Sequence, residues 1–252
     1  MTPQPTVALG IDVGGSGIKG APVDLARGEF LRERLKIATP MPATPAAVAA
    51  VVGRIAAAFE SEVPPDAPIG VTIPGVVQHG VVRTAANIDG SWVDAPGAEL
   101  FAAALGRRCL LVNDADAAGV AEVRYGAAKD HDGLVVVTTL GTGIGVALIH
   151  DGVLVPNAEL GHLQVDGRDA ETMAAASARE REGLSYAEWA GRLQRYYGVL
   201  EDLLWPDLFV VGGGVSRKAE RFLPLLALRT PIVPARLRNA AGIVGAAALA
   251  AD

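Results

Sequence analysis

Apolar positions along the chain fall first into short runs punctuated by glycine. Strand-like runs at 7–13, 17–23 and 30–37, separated by turns at Gly14-Gly15 and Arg27-Gly28, predict an antiparallel three-strand opening. After a proline-rich connector at 39–45 the period changes. Val48, Val51, Val52, Ile55 and Phe59 recur at helical spacing, so a first helix is expected over 46–60. The continuous apolar run at 69–73 reads as a buried strand. A glycine-rich segment with a strand at 81–84, a helix at 98–105 and a strand at 109–112 follow. The same grammar then restarts. A helix is predicted over 114–125, then three strands at 134–139, 144–150 and 153–155, and a long helical region at 171–204 with a break near Gly183. A strand at 208–211 and an alanine-rich helix from Asn239 complete the series.

Two halves that each open on a strand, a tight glycine turn and two further strands, then alternate helices and strands, predict a duplicated α/β architecture with mixed sheets and a central cleft. The expected division is a small lobe of residues 1–112 joined by a C-terminal helix at 240–252, and a larger lobe of residues 113–239.

Composition narrows the functional classes. Of the 252 residues half are hydrophobic and 20% charged, the balance of a globular chain. No apolar stretch approaches the ~20 residues that cross a bilayer, and no basic region followed by an apolar run opens the chain, so no membrane partner and a cytoplasmic location are expected. A formal net charge of −6 argues against general nucleic-acid binding. Cys109, the single cysteine, leaves no internal disulfide and no cysteine-built zinc site.

Chemistry concentrates at five places. Two glycine-rich turns follow strands at equivalent points of the halves, Asp12-Val-Gly-Gly-Ser-Gly and Leu140-Gly-Thr-Gly-Ile-Gly. Glycine lets a backbone approach a ligand closely and present its N–H groups to phosphate, although either turn alone also suits a plain hairpin. A third run, Gly212-Gly-Gly-Val-Ser, comes after a strand and is expected to open a helix, where N–H groups favour anions. In Asn113-Asp-Ala-Asp the Asp114 carboxylate is either a helix cap or the group that takes the proton of an attacking hydroxyl. Glu159 and His162, with Gly161 between them, can converge on vicinal hydroxyls as acceptor and donor.

In this order the motifs Asp12-Val-Gly-Gly-Ser-Gly-Ile-Lys-Gly, Asn113-Asp-Ala-Asp-Ala-Ala, Leu140-Gly-Thr-Gly-Ile-Gly, Glu159-Leu-Gly-His and Gly212-Gly-Gly-Val resemble the ROK family of sugar kinases and repressors. The segments 74–92 and 179–189 are similar to the branch of that family that phosphorylates glucose from inorganic polyphosphate. The resemblance implies a two-lobe actin-like ATPase fold, related to ribonuclease H, and assigns roles residue by residue. Asp114 matches the catalytic base at the 6-hydroxyl of glucose. Asn113, Glu159 and His162 match sugar ligands, Asn87 lies in a segment bordering the sugar, and Glu171 is the candidate for a further sugar contact. Gly14, Gly15, Ser16, Gly17 and Lys19 match a first phosphate loop, with Asp12 directed at Mg²⁺ and its waters. Gly141, Thr142 and Gly143 match a second phosphate loop, and Gly213 and Gly214 a nucleotide-side loop.

In many relatives the histidine also binds zinc together with three cysteines. Residues 163–179 hold no cysteine here, so no zinc is expected and packing is expected to position His162. The implied donor is polyphosphate, with ATP or GTP as a second one, and a strictly ATP-dependent hexokinase is the rival reading. Lys19, Arg124, Lys129, Arg217 and Lys218 flank the loops as candidates for a polyphosphate groove. A repressor reading would need a helix-turn-helix ahead of the first loop, where about ten residues stand. A homodimer is usual in the family.

Overall fold

The computed structural model describes residues 5–86 and 88–252, which form two compact units, one running to Ala121 and including Ala240–Asp252, the other Glu122–Asn239. In the first unit β1 (Val7–Gly14), β2 (Gly17–Asp24), β3 (Glu29–Phe30) and β4 (Leu35–Ile37) precede α1 (Pro45–Ala58) and β5 (Ile69–Ile73). A ribbon of β6 (Val77–Gln78) and β7 (Val81–Val82) leads to α2 (Gly97–Leu105), β8 (Leu110–Asn113) and α3 (Asp114–Tyr125), which runs across the division. The sheet order is β3-β2-β1-β5-β8, with β4 also on β2; β2 is antiparallel to β1, while β5 and β8 continue parallel. All five residues of β5 are buried, as a strand covered on both faces requires.

Where one strand was expected over 30–37, two short strands pair with β2 at different places, Phe30 opposite Val23 and Ile37 opposite Ile18. The interruption falls on Leu31-Arg32-Glu33-Arg34, whose charged side chains have no apolar face to lay on the sheet; Arg32 reaches out to Glu62 instead.

Alternation along β1 decides what each face carries. Leu9, Ile11 and Val13 enter a core with Val48, Val52 and Ile55 of α1. Gly10 and Asp12 point to the other face, where α7 (Ala241–Ala250) lies. A Cβ at Gly10 would fall 1.9 Å from the carbonyl oxygen of Ile243, one at Gly70 1.9 Å from that of Ala246, and one at Gly245 1.7 Å from that of Ala117 in α3. Helix α7 therefore rests on the sheet and on α3 by backbone contact.

In the second unit β9 (Leu134–Leu140), β10 (Ile144–His150) and β11 (Val153–Val155) form the meander. A hairpin of β12 (Gln164–Val165) and β13 (Arg168–Asp169) follows, then α4 (Ala170–Ala174), α5 (Ala176–Arg181), α6 (Tyr186–Leu204), β14 (Leu208–Gly212) and β15 (Ile232–Pro234). The order β11-β10-β9-β14-β15 repeats that of the first unit: three antiparallel strands, then two parallel ones beside the first. The helical region expected over 171–204 with a break near Gly183 is three helices, a further break falling at Ala175. Ser185 starts α6 with a capping box, its side chain accepting from the Glu188 N–H while Glu188 reaches back to the Ser185 N–H. This unit packs on rings: Trp189 lies 4.9 Å from Phe222, Tyr197 5.1 Å from Phe209 and Tyr196 5.4 Å from Tyr197, centroid to centroid. Their polar atoms are met, Trp189 Nε1 donating to the Ala174 carbonyl at 2.9 Å and the Tyr197 hydroxyl lying 2.6 Å from that of Thr138. Among the described residues no helix is long and apolar enough to cross a membrane.

Candidate active site

The candidate residues of the first unit gather at the ends of β1 and β8. Gly14 pairs with Gly17, so Gly15 and Ser16 are an exposed two-residue turn, and the Thr39 hydroxyl holds the Gly14 carbonyl at 2.5 Å. Two strand positions earlier Asp12 accepts the Thr72 hydroxyl at 3.0 Å and the Lys19 ammonium at 3.3 Å. A Cβ on Gly242 would come within 3.2 Å of the Asp12 carboxyl carbon, so this carboxylate packs on the first turn of α7, where the helix dipole favours negative charge. Thr72, in the middle of a buried strand, is a partner that sequence reading does not single out.

At the head of α3 the cap is Asn113. Its Oδ1 accepts the N–H groups of Ala115 at 2.8 Å and Asp116 at 3.1 Å, and its Nδ2 donates to the Gly75 carbonyl at 3.1 Å. Asp114 stands at the first helical position, its Oδ1 2.9 Å from the Ala115 nitrogen. The Asn113 amide caps the helix, and the Asp114 carboxylate beside it accepts the same Ala115 N–H. Asn87 lies outside the described residues.

In the second unit Glu159 and His162 flank a 3₁₀ turn over Leu160–His162. Glycine is required between them, because a Cβ at Gly161 would sit 2.0 Å from the Ile144 carbonyl oxygen. His162 Nε2 lies 4.0 Å from Glu159 Oε2, and both side chains are about half exposed, at 54% and 46%. What holds the imidazole is a hydrogen bond, not packing: Nδ1 lies 3.0 Å from Asp169 Oδ2. That partner raises the His162 pKa against the effect of burial, with the Glu171, Asp169 and Glu159 charges adding to it. Burial pushes Asp169 up, but the hydrogen bond and charge of His162 hold it below the usual carboxylate range. Glu159 is raised, by burial first and by Glu171, against the pull of His162. Asp169 also caps α4, accepting the Glu171 N–H at 2.9 Å. Sequence reading overlooked it, although an Asp at a strand-to-helix junction just after the Asp166-Gly167 turn marks such a cap.

Glu171 ties this cluster to the second glycine loop. Its Oε2 accepts the Ile144 N–H at 2.8 Å, and a Cβ on Gly143 would stand 2.3 Å from the same oxygen. Across the loop Ser177 donates its N–H to the Gly141 carbonyl at 3.0 Å and its hydroxyl to the Thr142 carbonyl at 2.6 Å, so the oxygens that would repel a phosphate are engaged. Gly213, at φ 80° with its virtual Cβ 2.3 Å from the Leu140 carbonyl oxygen, needs to be glycine on both counts. The segment it opens is not an α-helix. It is a 3₁₀ stretch over Gly214–Arg221 with non-helical torsions at Lys218, so the anion-binding helix N-terminus expected there is replaced by a tighter, broken turn. A pocket of about 320 Å³ lies beside both loops, lined by Gly141, Thr142, Ser177, Arg179, Tyr186 and Lys218 among others. A second cavity, about 360 Å³ and lined by Gly53, Glu60, Ala104 and Arg107, touches none of these residues.

Among the described residues no group of three or more His, Cys, Asp or Glu side chains is arranged to hold a metal ion. Asp12 offers hard oxygens beside the Gly14–Gly17 turn, a donor that fits Mg²⁺ held mostly by water and substrate phosphate. Burial pushes the Cys109 thiol up to about 11, which removes it as a nucleophile near neutral pH.

Two mixed sheets of the same strand order, each with a glycine turn after its first strand, define the actin-like ATPase class of fold. The ROK family profile matches residues 8–180, and the chain belongs to the ROK family. It is 54% identical over 240 residues to a polyphosphate glucokinase of Mycobacterium tuberculosis, covering 95% of this chain and 89% of that protein. The crystal structure of an inorganic polyphosphate/ATP-glucomannokinase from Arthrobacter sp. strain KM superposes with a TM-score of 0.92 at 55% identity, over 98% of this chain and 99% of that one. A ROK family glucokinase from Streptomyces griseus, solved with glucose and AMPPNP, matches at a TM-score of 0.82 and 26% identity, over 97% of this chain and 99% of that one.

Proposed function

We propose that this chain transfers the terminal phosphoryl group of inorganic polyphosphate to the 6-hydroxyl of glucose, with ATP or GTP as a second donor. The observation that supports the chemistry is the place of the Asp114 carboxylate, at the first turn of α3 beside the amide that caps the helix. The donor and the sugar are supported by the likeness to the Mycobacterium and Arthrobacter enzymes.

In this reading Asp114 accepts the proton of the 6-hydroxyl as O6 bonds to the terminal phosphorus and the bridging P–O bond breaks. The polyphosphate leaves one unit shorter, and the positioned base contributes about 10²–10⁴ in rate. Glu159 accepts and His162 donates hydrogen bonds to sugar hydroxyls, while Asn113 and Asn87 complete the sugar contacts. The turns at Gly14–Gly17 and Gly141–Gly143, with Lys19, orient the donor's phosphates, and Gly213 and Gly214 line its far side. Mg²⁺, when bound, neutralises phosphate charge, and Asp12 would hold it through its waters. A cytoplasmic homodimer, as is usual in the family, belongs to this reading, with lobes of residues 1–112 plus 240–252 and residues 113–239 and no membrane partner, and the net charge of −6 argues against a nucleic-acid partner.

Initial rates on glucose with long-chain polyphosphate, ATP and GTP, compared side by side, test the reading. Glucose 6-phosphate formed from polyphosphate is the expected result; turnover with ATP alone would transfer the function to a strictly ATP-dependent hexokinase. Sedimentation of the purified chain checks the dimer.

A further inference from the structure

Several arginines of the second unit are committed to carboxylates. Arg181 and Arg192 pair with Glu182, Arg195 with Asp166, and Arg229 with Glu201 and Asp202. Arg179, Arg221 and Lys218 make no ion pair among the described residues. Arg179 and Arg221 instead lie against one ring, their guanidinium carbons 4.0 and 4.3 Å from the Tyr186 centroid. The Nε of Arg179 is buried without a hydrogen-bond partner. Arg179, Tyr186 and Lys218 line the same pocket as Thr142, and a single carboxylate, Glu180, lines it with them.

Stacking occupies the face of a guanidinium and leaves its N–H edge available for a bidentate acceptor, the geometry a phosphate offers. Gathering like charges around one ring with no ion pair to them among the described residues is unfavourable, and an anion in the pocket relieves it. A polyphosphate chain continues beyond the transferred group as a line of charged units with no base or ribose to recognise. We infer that Arg179, Arg221 and Lys218, organised by Tyr186, form a subsite for interior phosphoryl units of the polyphosphate donor. The inference rests on the polyphosphate reading above and adds to it where the chain beyond the reacting group is held.

The test compares wild type, Arg179→Gln/Arg221→Gln, Arg179→Lys/Arg221→Lys and Lys218→Met, each assayed with long-chain polyphosphate and with ATP at saturating glucose. Loss of two charge-assisted phosphate contacts should raise the ratio of the polyphosphate KM to the ATP KM about tenfold in the glutamine pair. The lysine pair should recover most of it, since it keeps the charge. Lys218→Met, at the pocket edge, should shift the ratio about threefold, and it keeps the test decisive if the glutamine pair does not fold. An unchanged ratio in a folded variant, while wild type uses polyphosphate, overturns the subsite and leaves the proposed function standing. A parallel rise for both donors also overturns it, because the site would then read any triphosphate. Wild type inactive with polyphosphate brings down the proposed function itself, and the subsite with it.

Discussion

The two units share one strand order, and one helix in each is clamped to it, by opposite means. In the unit that carries Asp12 and Asp114, α7 touches β1 and β5 through glycines, its backbone carbonyls set against their Cα atoms. In the unit that carries Glu159 and His162, α6 meets its sheet through Trp189, Tyr196, Tyr197, Phe209 and Phe222, all fully buried. The same topology can be filled with almost nothing or with rings, and the choice sets what each unit tolerates. Backbone contact leaves no slack for an added methyl group, whereas a ring layer fails when atoms are removed. The chemistry divides along the same line in our reading, the base in the glycine-clamped unit and the hydroxyl-binding pair in the aromatic one.

The largest effect expected is at Asp114. Asp114→Asn preserves shape and removes the proton acceptor, so kcat should fall about 10²–10⁴-fold while the melting temperature holds. Glu159→Gln should act mainly on the KM for glucose, by about tenfold, since it weakens hydrogen bonds to the sugar instead of removing the base. Steady-state kinetics on both variants would erase the division if each lost kcat and KM alike. For the cores, Trp189→Ala should cost about 3–5 kcal/mol, the usual range for a buried ring cut back to alanine. Gly70→Ala should cost about 1–3 kcal/mol, although it adds one methyl group, because that methyl group meets a backbone carbonyl. Denaturant unfolding of the two proteins decides this, and a Gly70→Ala chain as stable as wild type would mean that α7 can lift off its sheet at no cost.

How much of this was legible in the sequence depended on whether a feature was local. Both meanders could be read, because alternating runs end in glycine turns. The break between α4 and α5 could not: it falls at Ala175, with ψ 155°, and alanine carries no stop signal. The break near Gly183 could, since that glycine sits at φ 65°. The two-part β3 and β4 reflect which residues of 30–37 find a partner on β2, a tertiary question. At the site, the Asn-Asp and Glu-x-x-His pairs were visible as chemistry, but that the Asn113 amide caps α3 emerges only from hydrogen bonds. His162 was expected to rest on packing because residues 163–179 hold no zinc-binding cysteine, and Asp169, seven residues away, was not considered. The Asp166-Gly167 turn, at φ 52° and 75°, folds β13 back along β12, and the Ala170 N–H donates to the Leu163 carbonyl at 2.9 Å. Asp-Gly is a hairpin signal, so the approach of 169 to 162 was available to a reading that followed the turn.

The smallest effect expected concerns that contact and its pH dependence. The folded state raises the His162 pKa above its ordinary value of 6.5 through Asp169, assisted by the Glu171 and Glu159 charges, and burial raises Glu159 from 4.5. A histidine with a raised folded-state value contributes stability that is complete below the unfolded value and lost as pH climbs through the folded one. A carboxyl group raised by burial behaves in the same direction, since the fold disfavours its charged form. Asp169 runs the other way: its lowered value contributes above about 3.8 and is lost only in strong acid. Between pH 5 and pH 8 the first two dominate, so this cluster should stabilise the protein less at pH 8 than at pH 5. Because His162 is half exposed, the contribution should stay under about 1 kcal/mol, or roughly 2–4 °C in melting temperature for a chain of this size. Asp169→Asn removes the charge that raises His162 and should flatten this part of the pH dependence. It should also raise the glucose KM a few-fold with little change in kcat, because the imidazole loses the partner that fixes which nitrogen faces outward. Parallel melting curves for wild type and Asp169→Asn from pH 5 to 8, with an unaltered glucose KM, would return His162 to a residue held by packing.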